Sequence, residues 1–121
     1  MPCDFLFIQA YDNVVLAKVT KERLLDPSSI TALGEALTQI LDRYPRISLV
    51  LDLADVGYMS SAVLGKLIAT HKQVKALKGR MCLAGTRPVL LPLFKVTNLD
   101  KVFEMYPEAE FAMRQYRSKP L

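Results

Sequence analysis

The sequence predicts one α/β domain on a mixed sheet, and three observations carry that reading. β-rich and helix-periodic segments alternate along the 121 residues in the order β-β-α-β-α-β-α-β-α. Strands separated by helices need crossover connections, which makes the later strands parallel. The first two strand-like runs are joined only by a short polar turn, which makes them an antiparallel hairpin at the sheet edge. A chain of this length buries one core, so residues 1–121 are expected to form a single domain.

The hairpin is expected from Phe5 to Ala10 and from Val14 to Val19, around Tyr11-Asp12-Asn13. A helix follows. Asp26 suits its cap and Pro27 its first position. Ile30, Leu33, Leu37, Ile40 and Leu41 share one face, and Pro45 stops it. Ile47 to Leu53 is an almost continuous apolar run, as expected of a strand covered on both sides. Ser60 or Ser61 caps the next helix, which runs to about Lys78. Its stripe is Leu64, Leu67, Ile68, His71 and Val74, and Gly79 is placed to end it in the left-handed conformation. Arg80 to Ala84 is a short buried strand. Pro88 opens a third helix or turn. Pro92 falls inside it, so a short or kinked element is expected. Lys101 to Met105 reads as a last edge strand, and Pro107 begins a helix ending near Tyr116.

Composition excludes several classes. With 51% apolar and 23% charged residues, the chain is neither disordered nor fibrous. Cys3 and Cys82 lack CxxC spacing, which argues against a disulfide framework or a cysteine zinc site. Apolar stretches reach only about five to eight residues, far short of the ~20 that span a bilayer. Met1-Pro2-Cys3-Asp4 has no basic region ahead of an apolar run, so no secretory leader is expected and the domain is read as cytoplasmic, without a membrane partner. The net charge of +4 permits attraction to anionic partners. The dense basic segment Lys66, Lys72, Lys75, Lys78 and Arg80 has no interleaved aromatic residue, which base stacking would favour, so no direct nucleic-acid partner is expected and it is read as a solvated helix face, with a partner-binding surface as the alternative.

The stretch with chemistry in it runs from Val50 to Lys66. A buried strand ends at Asp52-Leu53, a loop carries Asp55-Val56-Gly57, and two serines stand at a helix start. In open α/β sheets ligands collect where strand ends meet helix starts. A serine there sits beside unpaired backbone N–H groups and the positive end of the helix dipole. A phosphate on it would be tolerated, and would change the surface charge by about −1.5 to −2. The plain alternative is that Ser60 and Ser61 only cap the helix.

Leu51-Asp52-Leu53-Ala54-Asp55-Val56 is followed by Tyr58-Met59-Ser60-Ser61-Ala62-Val63-Leu64-Gly65. Gly79-Arg80-Met81-Cys82-Leu83 and Leu99-Asp100-Lys101-Val102-Phe103 come later in the same order. In these segments, over nearly its whole length, the chain resembles the STAS domains of anti-sigma factor antagonists. The resemblance implies a four- to five-stranded mixed sheet with helices packed mainly on one side. It implies a binding switch rather than an enzyme. The partners would be an anti-sigma factor with serine kinase activity and a cognate phosphatase. On that alignment Ser61 is the phosphoacceptor, with Ser60 as second candidate. Tyr58, Met59, Ser60, Ala62, Val63, Lys66 and Phe94 would line the partner face. Two positions depart from the family pattern: Ser60 replaces the usual acid before the acceptor, and Val63 replaces the usual glycine two residues after it. A scaffold that works without phosphorylation, a homodimer among its forms, and a ligand-sensing module are the alternatives.

Other residues read as structural. His71 is the only histidine and is expected at the boundary of a packed face, with no companion metal ligands. Asp52 and Asp55 are expected to order the loop. Cys82 is read as a small buried hydrophobe and Cys3 as incidental. Leu90, Leu91, Leu93, Phe94 and Val96 are core and edge cover, or else a docking patch beside Tyr58 and Met59. The five glycines are dispersed, so no phosphate loop is expected, and no cofactor.

Overall fold

The computed structural model describes residues 3–121; Met1 and Pro2, half of the opening read above for a leader, lie outside them. Strands β1 (Leu6–Tyr11) and β2 (Val14–Val19) form the expected hairpin, antiparallel, with Leu6 opposite Val19 and Tyr11 opposite Val14. Asp12 takes a positive φ of 56° in the two-residue turn, a conformation Asp tolerates better than most residues. β3 (Arg23–Leu24) precedes α1 (Pro27–Arg43), and β4 (Ser48–Asp52) precedes β5 (Tyr58–Met59). Then come α2 (Ser61–Ala76), β6 (Arg80–Ala84), α3 (Leu91–Val96), a 3₁₀ turn at Leu99–Lys101, β7 (Glu104–Tyr106) and α4 (Ala109–Ser118).

The main sheet has the order β1-β2-β4-β6-β7. Only the β1–β2 pair is antiparallel; β2–β4, β4–β6 and β6–β7 are parallel, as crossover connections demand. Alternation sorts the side chains between two cores. Val15, Ala17, Leu49, Leu51, Met81 and Leu83 face the larger one, under α1, α2 and α3. Val50, Cys82 and Ala84 face the smaller one, covered by Ala112, Met113 and Tyr116 of α4. Helices therefore lie mainly, but not wholly, on one side. β4 is buried at every residue, which is why it reads as an unbroken apolar run.

Arg80 fastens α4 to the sheet. Its Nε donates to Ser48 Oγ at 2.8 Å, its Nη2 donates to the carbonyls of Tyr116 and Lys119, and its guanidinium lies 4.1 Å from the Tyr116 ring centre. The carbonyls at the end of α4, which have no intrahelical donor, are satisfied this way. Arg80 thus belongs to the interior of the fold and not to a solvated helix face.

Some local expectations hold and others are corrected. Helix α2 ends at Ala76, and Lys78, not Gly79, takes the left-handed conformation, at φ 67°. Gly79 is required for a different reason. A Cβ there would stand 2.5 Å from the Ile47 carbonyl oxygen, because the chain passes directly beside the start of β4. The expected short element is there: Pro88 opens a turn and α3 begins at Leu91, so Pro92 sits in its first turn, where a missing N–H costs nothing. The last strand is displaced to Glu104–Tyr106 because Leu99–Lys101 coils into a 3₁₀ turn. Cys3, read as incidental, is buried in the larger core. No helix among the described residues is long and apolar enough to cross a membrane.

Candidate functional site

The loop from Leu53 to Ser60 leaves the end of β4 and is held from three sides. Asp52 Oδ1 accepts the Ala54 N–H at 3.0 Å, and Lys18 reaches Asp55 at 3.7 Å, so both aspartates order the loop as expected. The Glu22 carbonyl accepts the Gly57 and Tyr58 N–H groups at 2.9 and 3.0 Å. Just beyond, β3 and β5 form a two-residue parallel ladder, Arg23 with Tyr58 and Leu24 with Met59. The Arg23 guanidinium lies 4.5 Å from the Tyr58 ring centre. Arg87, which follows β6, donates from Nε to the Ala54 carbonyl at 2.8 Å and stands 3.9 Å from Glu22 Oε2. Gly57 sits beneath that arm: a Cβ there would come within 3.1 Å of Arg87 Nη1.

This clamp delivers the chain to the start of α2. Ser60 occupies the N-cap with extended backbone, φ −89° and ψ 165°, yet its side chain makes no capping bond. Its Oγ is buried without a hydrogen-bond partner. The Ser60 carbonyl accepts from Val63 N at 3.1 Å and Leu64 N at 3.4 Å. No acidic residue stands in the first turn. The positive end of the helix dipole is therefore neither neutralised nor covered by a side chain. Ser61, the first helical residue, is exposed at that end.

The structure divides the predicted partner face. Ser61, Tyr58, Ala62 and Lys66 are exposed, and Ser60 is half-buried. Met59 is buried, while Val63 and Phe94 are fully so. Phe94 is a correction: it lies in the larger core beneath α3, and the apolar group around it splits into buried Leu90 and Phe94 and outward Leu91 and Val96. Val63 is likewise part of the floor of the site rather than its surface. Its branched side chain points into the core, so replacing the expected glycine adds no bulk to the exposed face. The Lys66 stem crosses to α1, where a Cβ on Gly34 would lie 3.2 Å from its Cδ. The groove between the two helices, about 460 Å³, is lined by Thr31, Gly34, Thr38, Lys66 and Thr70 among others.

Groups outside this site are quiet. Burial pushes the Cys82 thiol up to about 12, which makes it a poor nucleophile. His71 stacks edge-on against Phe103 at 5.1 Å; partial burial and then Lys75 lower its pKa. No group of three His, Cys, Asp or Glu residues that could hold a metal ion occurs among the described residues. Sequence reading missed the β3–β5 ladder and the Arg87 clamp. Two-residue strands leave no periodicity, and Arg87 meets Ala54 across 33 positions of chain.

Comparison with known proteins agrees with this architecture. A candidate anti-sigma factor antagonist from Thermotoga maritima is 22% identical, with 94% of this chain and 96% of that one covered and a TM-score of 0.82. An anti-sigma factor antagonist from Mycobacterium paratuberculosis is 27% identical, with 93% and 92% covered and a TM-score of 0.79. The Bacillus cell fate determinant SpoIIAA in its phosphorylated form is 15% identical, with 90% and 97% covered and a TM-score of 0.69. The STAS domain family pattern matches residues 8–112, from β1 through the start of α4. With the order of motifs, the mixed sheet and the matched span all in accord, the chain belongs to the STAS domain family.

Proposed function

We propose that this domain is a protein-interaction switch that acts as an anti-sigma factor antagonist. Its partner is an anti-sigma factor with serine kinase activity, which docks on the exposed start of α2 and releases its sigma factor. The observation that carries the reading is the open N-terminus of α2, with no side-chain cap, no acid in the first turn and Ser61 exposed on it. Tyr58, Ala62 and Lys66 flank that hydroxyl, while Met59 and Val63 support it from beneath. The kinase would transfer the γ-phosphoryl group of ATP to Ser61 Oγ, leaving ADP and releasing a proton. The phosphate then occupies the positive helix end and opposes docking by its charge. Ser61 is preferred over Ser60 because the Ser60 Oγ is buried. A phosphatase resets the switch. We read the domain as a cytoplasmic binding module rather than an enzyme.

Phosphopeptide mapping of the protein from its own cells tests this. One phosphate on Ser61, lost in Ser61→Ala, is the expected result. Its absence under every growth condition rejects the switch. In that case the second reading, a phosphorylation-independent scaffold, takes over. Ser60 in place of the usual acid favours it, and light scattering would find a self-associated species.

A further inference from the structure

We propose that the flank formed by the C-terminal half of α2 and the stretch from α3 to β7 is a contact surface for an anionic lipid bilayer. This goes beyond the switch and does not depend on it. It also departs from the sequence-based expectation of no membrane partner, because only the fold brings these segments together. The charge distribution is the first observation. Between Asp55 and Asp100 the chain has no acidic residue, while all twelve acids lie outside that span. Its two arginines work inside the molecule, Arg80 on α4 and Arg87 on the loop after β4. Its lysines do not. No carboxylate lies within ion-pair distance of Lys66, Lys72, Lys75, Lys78, Lys95 or Lys101 among the described residues.

The packing then gathers four of these lysines. His71 meets Phe103 at 5.1 Å, so the flank of α2 that carries Lys72 and Lys75 lies beside the 3₁₀ turn that carries Lys101. The Asn98 N–H bonds back to the Lys95 carbonyl at 3.1 Å, which holds the end of α3 against the same turn. Asp100 is the carboxylate of that turn, and Glu104, which begins β7, lies toward α4, with its carboxylate 3.5 Å from the Tyr116 hydroxyl. Two aliphatic side chains protrude between the lysines, Val96 at 82% and Val102 at 45% exposure.

The chemistry selects the occupant. Exposed aromatic side chains for base stacking are missing from this flank, where Phe94 and Phe103 are buried. The free cations are all lysine, which is depleted at protein interfaces and lacks the planar fork that reads carboxylates in pairs. Diffuse point charges around single protruding aliphatics suit a headgroup layer, where each lysine adds attraction and the valines reach toward the acyl boundary.

The test is co-sedimentation of the full chain with phosphatidylcholine vesicles and with vesicles carrying about one quarter phosphatidylglycerol. Binding to the second only, released by high salt, is expected. Lys72→Glu with Lys75→Glu should weaken it about tenfold or more. Val96→Asp should weaken it by about fivefold. Arg114→Glu with Lys119→Glu makes the same charge change on α4 and its C-cap and should leave it within about twofold. All these residues are exposed, and circular dichroism checks that each variant folds. Failure to sediment with anionic vesicles overturns the proposal. So does equal weakening by the two charge-reversal pairs, or retention on polyglutamate beads without vesicle binding, which would assign the flank to an acidic protein.

Discussion

Helix α1 begins with Pro27 at its first position and Asp26 at its cap, whereas α2 begins with two serines, neither of which closes the helix end. Asp26 Oδ2 accepts from Ser29 N at 3.0 Å and from Ser28 Oγ at 2.6 Å, and Lys21 stands 3.7 Å from Oδ1. The Ser28 hydroxyl, then Ser29, hold the Asp26 carboxyl well below the usual carboxylate range. At α2 the Ser60 side chain makes no cap bond and the first turn carries no charge. The two helices pack against each other over the larger core. One start is closed by its own side chain; the other is left open, and the proposed switch would use it for a partner or a phosphate.

The largest effect should come from closing the open start with a charge. Ser61→Asp puts a carboxylate at the positive end of α2 and should weaken partner binding about a hundredfold, as expected when a charge is left unpaired in an interface. The same change should raise folding stability by about 0.5 kcal/mol, because an acid in the first turn complements the helix dipole. Opposite signs in titration calorimetry and thermal melting would sharpen the comparison. Loss of both binding and stability would break it.

The converse change at α1 should act on stability alone. Asp26→Ala leaves the Ser29 N–H without its acceptor and should lower Tm by a few degrees, with partner affinity unchanged. The wild-type cap also predicts a pH dependence. A carboxyl whose pKa is depressed on folding stabilises above its unfolded value near ~3.9 and loses that contribution as pH falls through its folded value. Melting curves of wild type and Asp26→Ala should therefore converge in acid and separate toward neutral pH. Asp26 is exposed, so the separation should shrink in high salt.

The contrast between the helix starts explains what sequence reading reached. Asp26-Pro27 carries its capping chemistry in two residue types, and α1 begins where they place it. Arg80 to Ala84 and Val14 to Val19 were legible because alternating or continuous apolar runs record burial directly. The helix start at Ser60-Ser61 was legible because a serine after a strand and loop marks one, whereas the choice of Ser61 as acceptor rests on the family resemblance alone. The role of Arg87 was not, since a surface arginine among Gly85, Thr86 and Pro88 gives no sign of the carbonyl it will meet. Phe94 misled for a related reason: a cluster of apolar residues around Pro92 does not reveal which of them turns inward until the helix start is known. Gly79 was recognised as special, but its constraint is the Ile47 carbonyl beside it, a contact across the chain, and not its own backbone angle.

An intermediate effect is expected from the clamp that presents α2. Arg87→Ala removes the bond to the Ala54 carbonyl and the partly exposed approach to Glu22. The stability cost should be about 1 kcal/mol, nearly all from the hydrogen bond, because an exposed ion pair contributes little. Hydrogen exchange should quicken at Gly57 and Tyr58, whose N–H groups bond to Glu22, and stay unchanged in α1. Equal loosening of both helix starts would show that the clamp serves the whole layer and not the start of α2.

The smallest effect is also the most discriminating. Ser60→Ala removes a hydroxyl that caps nothing and is buried without a partner. A serine serving as a true N-cap would cost about 1 kcal/mol on truncation. Here the change should fall within about 0.5 kcal/mol of neutral, and on the stabilising side if the buried hydroxyl is left unsatisfied in solution as well. Chemical denaturation with matched m-values measures it. A loss of a full cap's worth would mean that Ser60 closes α2 in solution as Asp26 closes α1. The two helix starts would then be alike, and the exposed Ser61 hydroxyl would stand on an end already satisfied, with less free N–H to receive a phosphate.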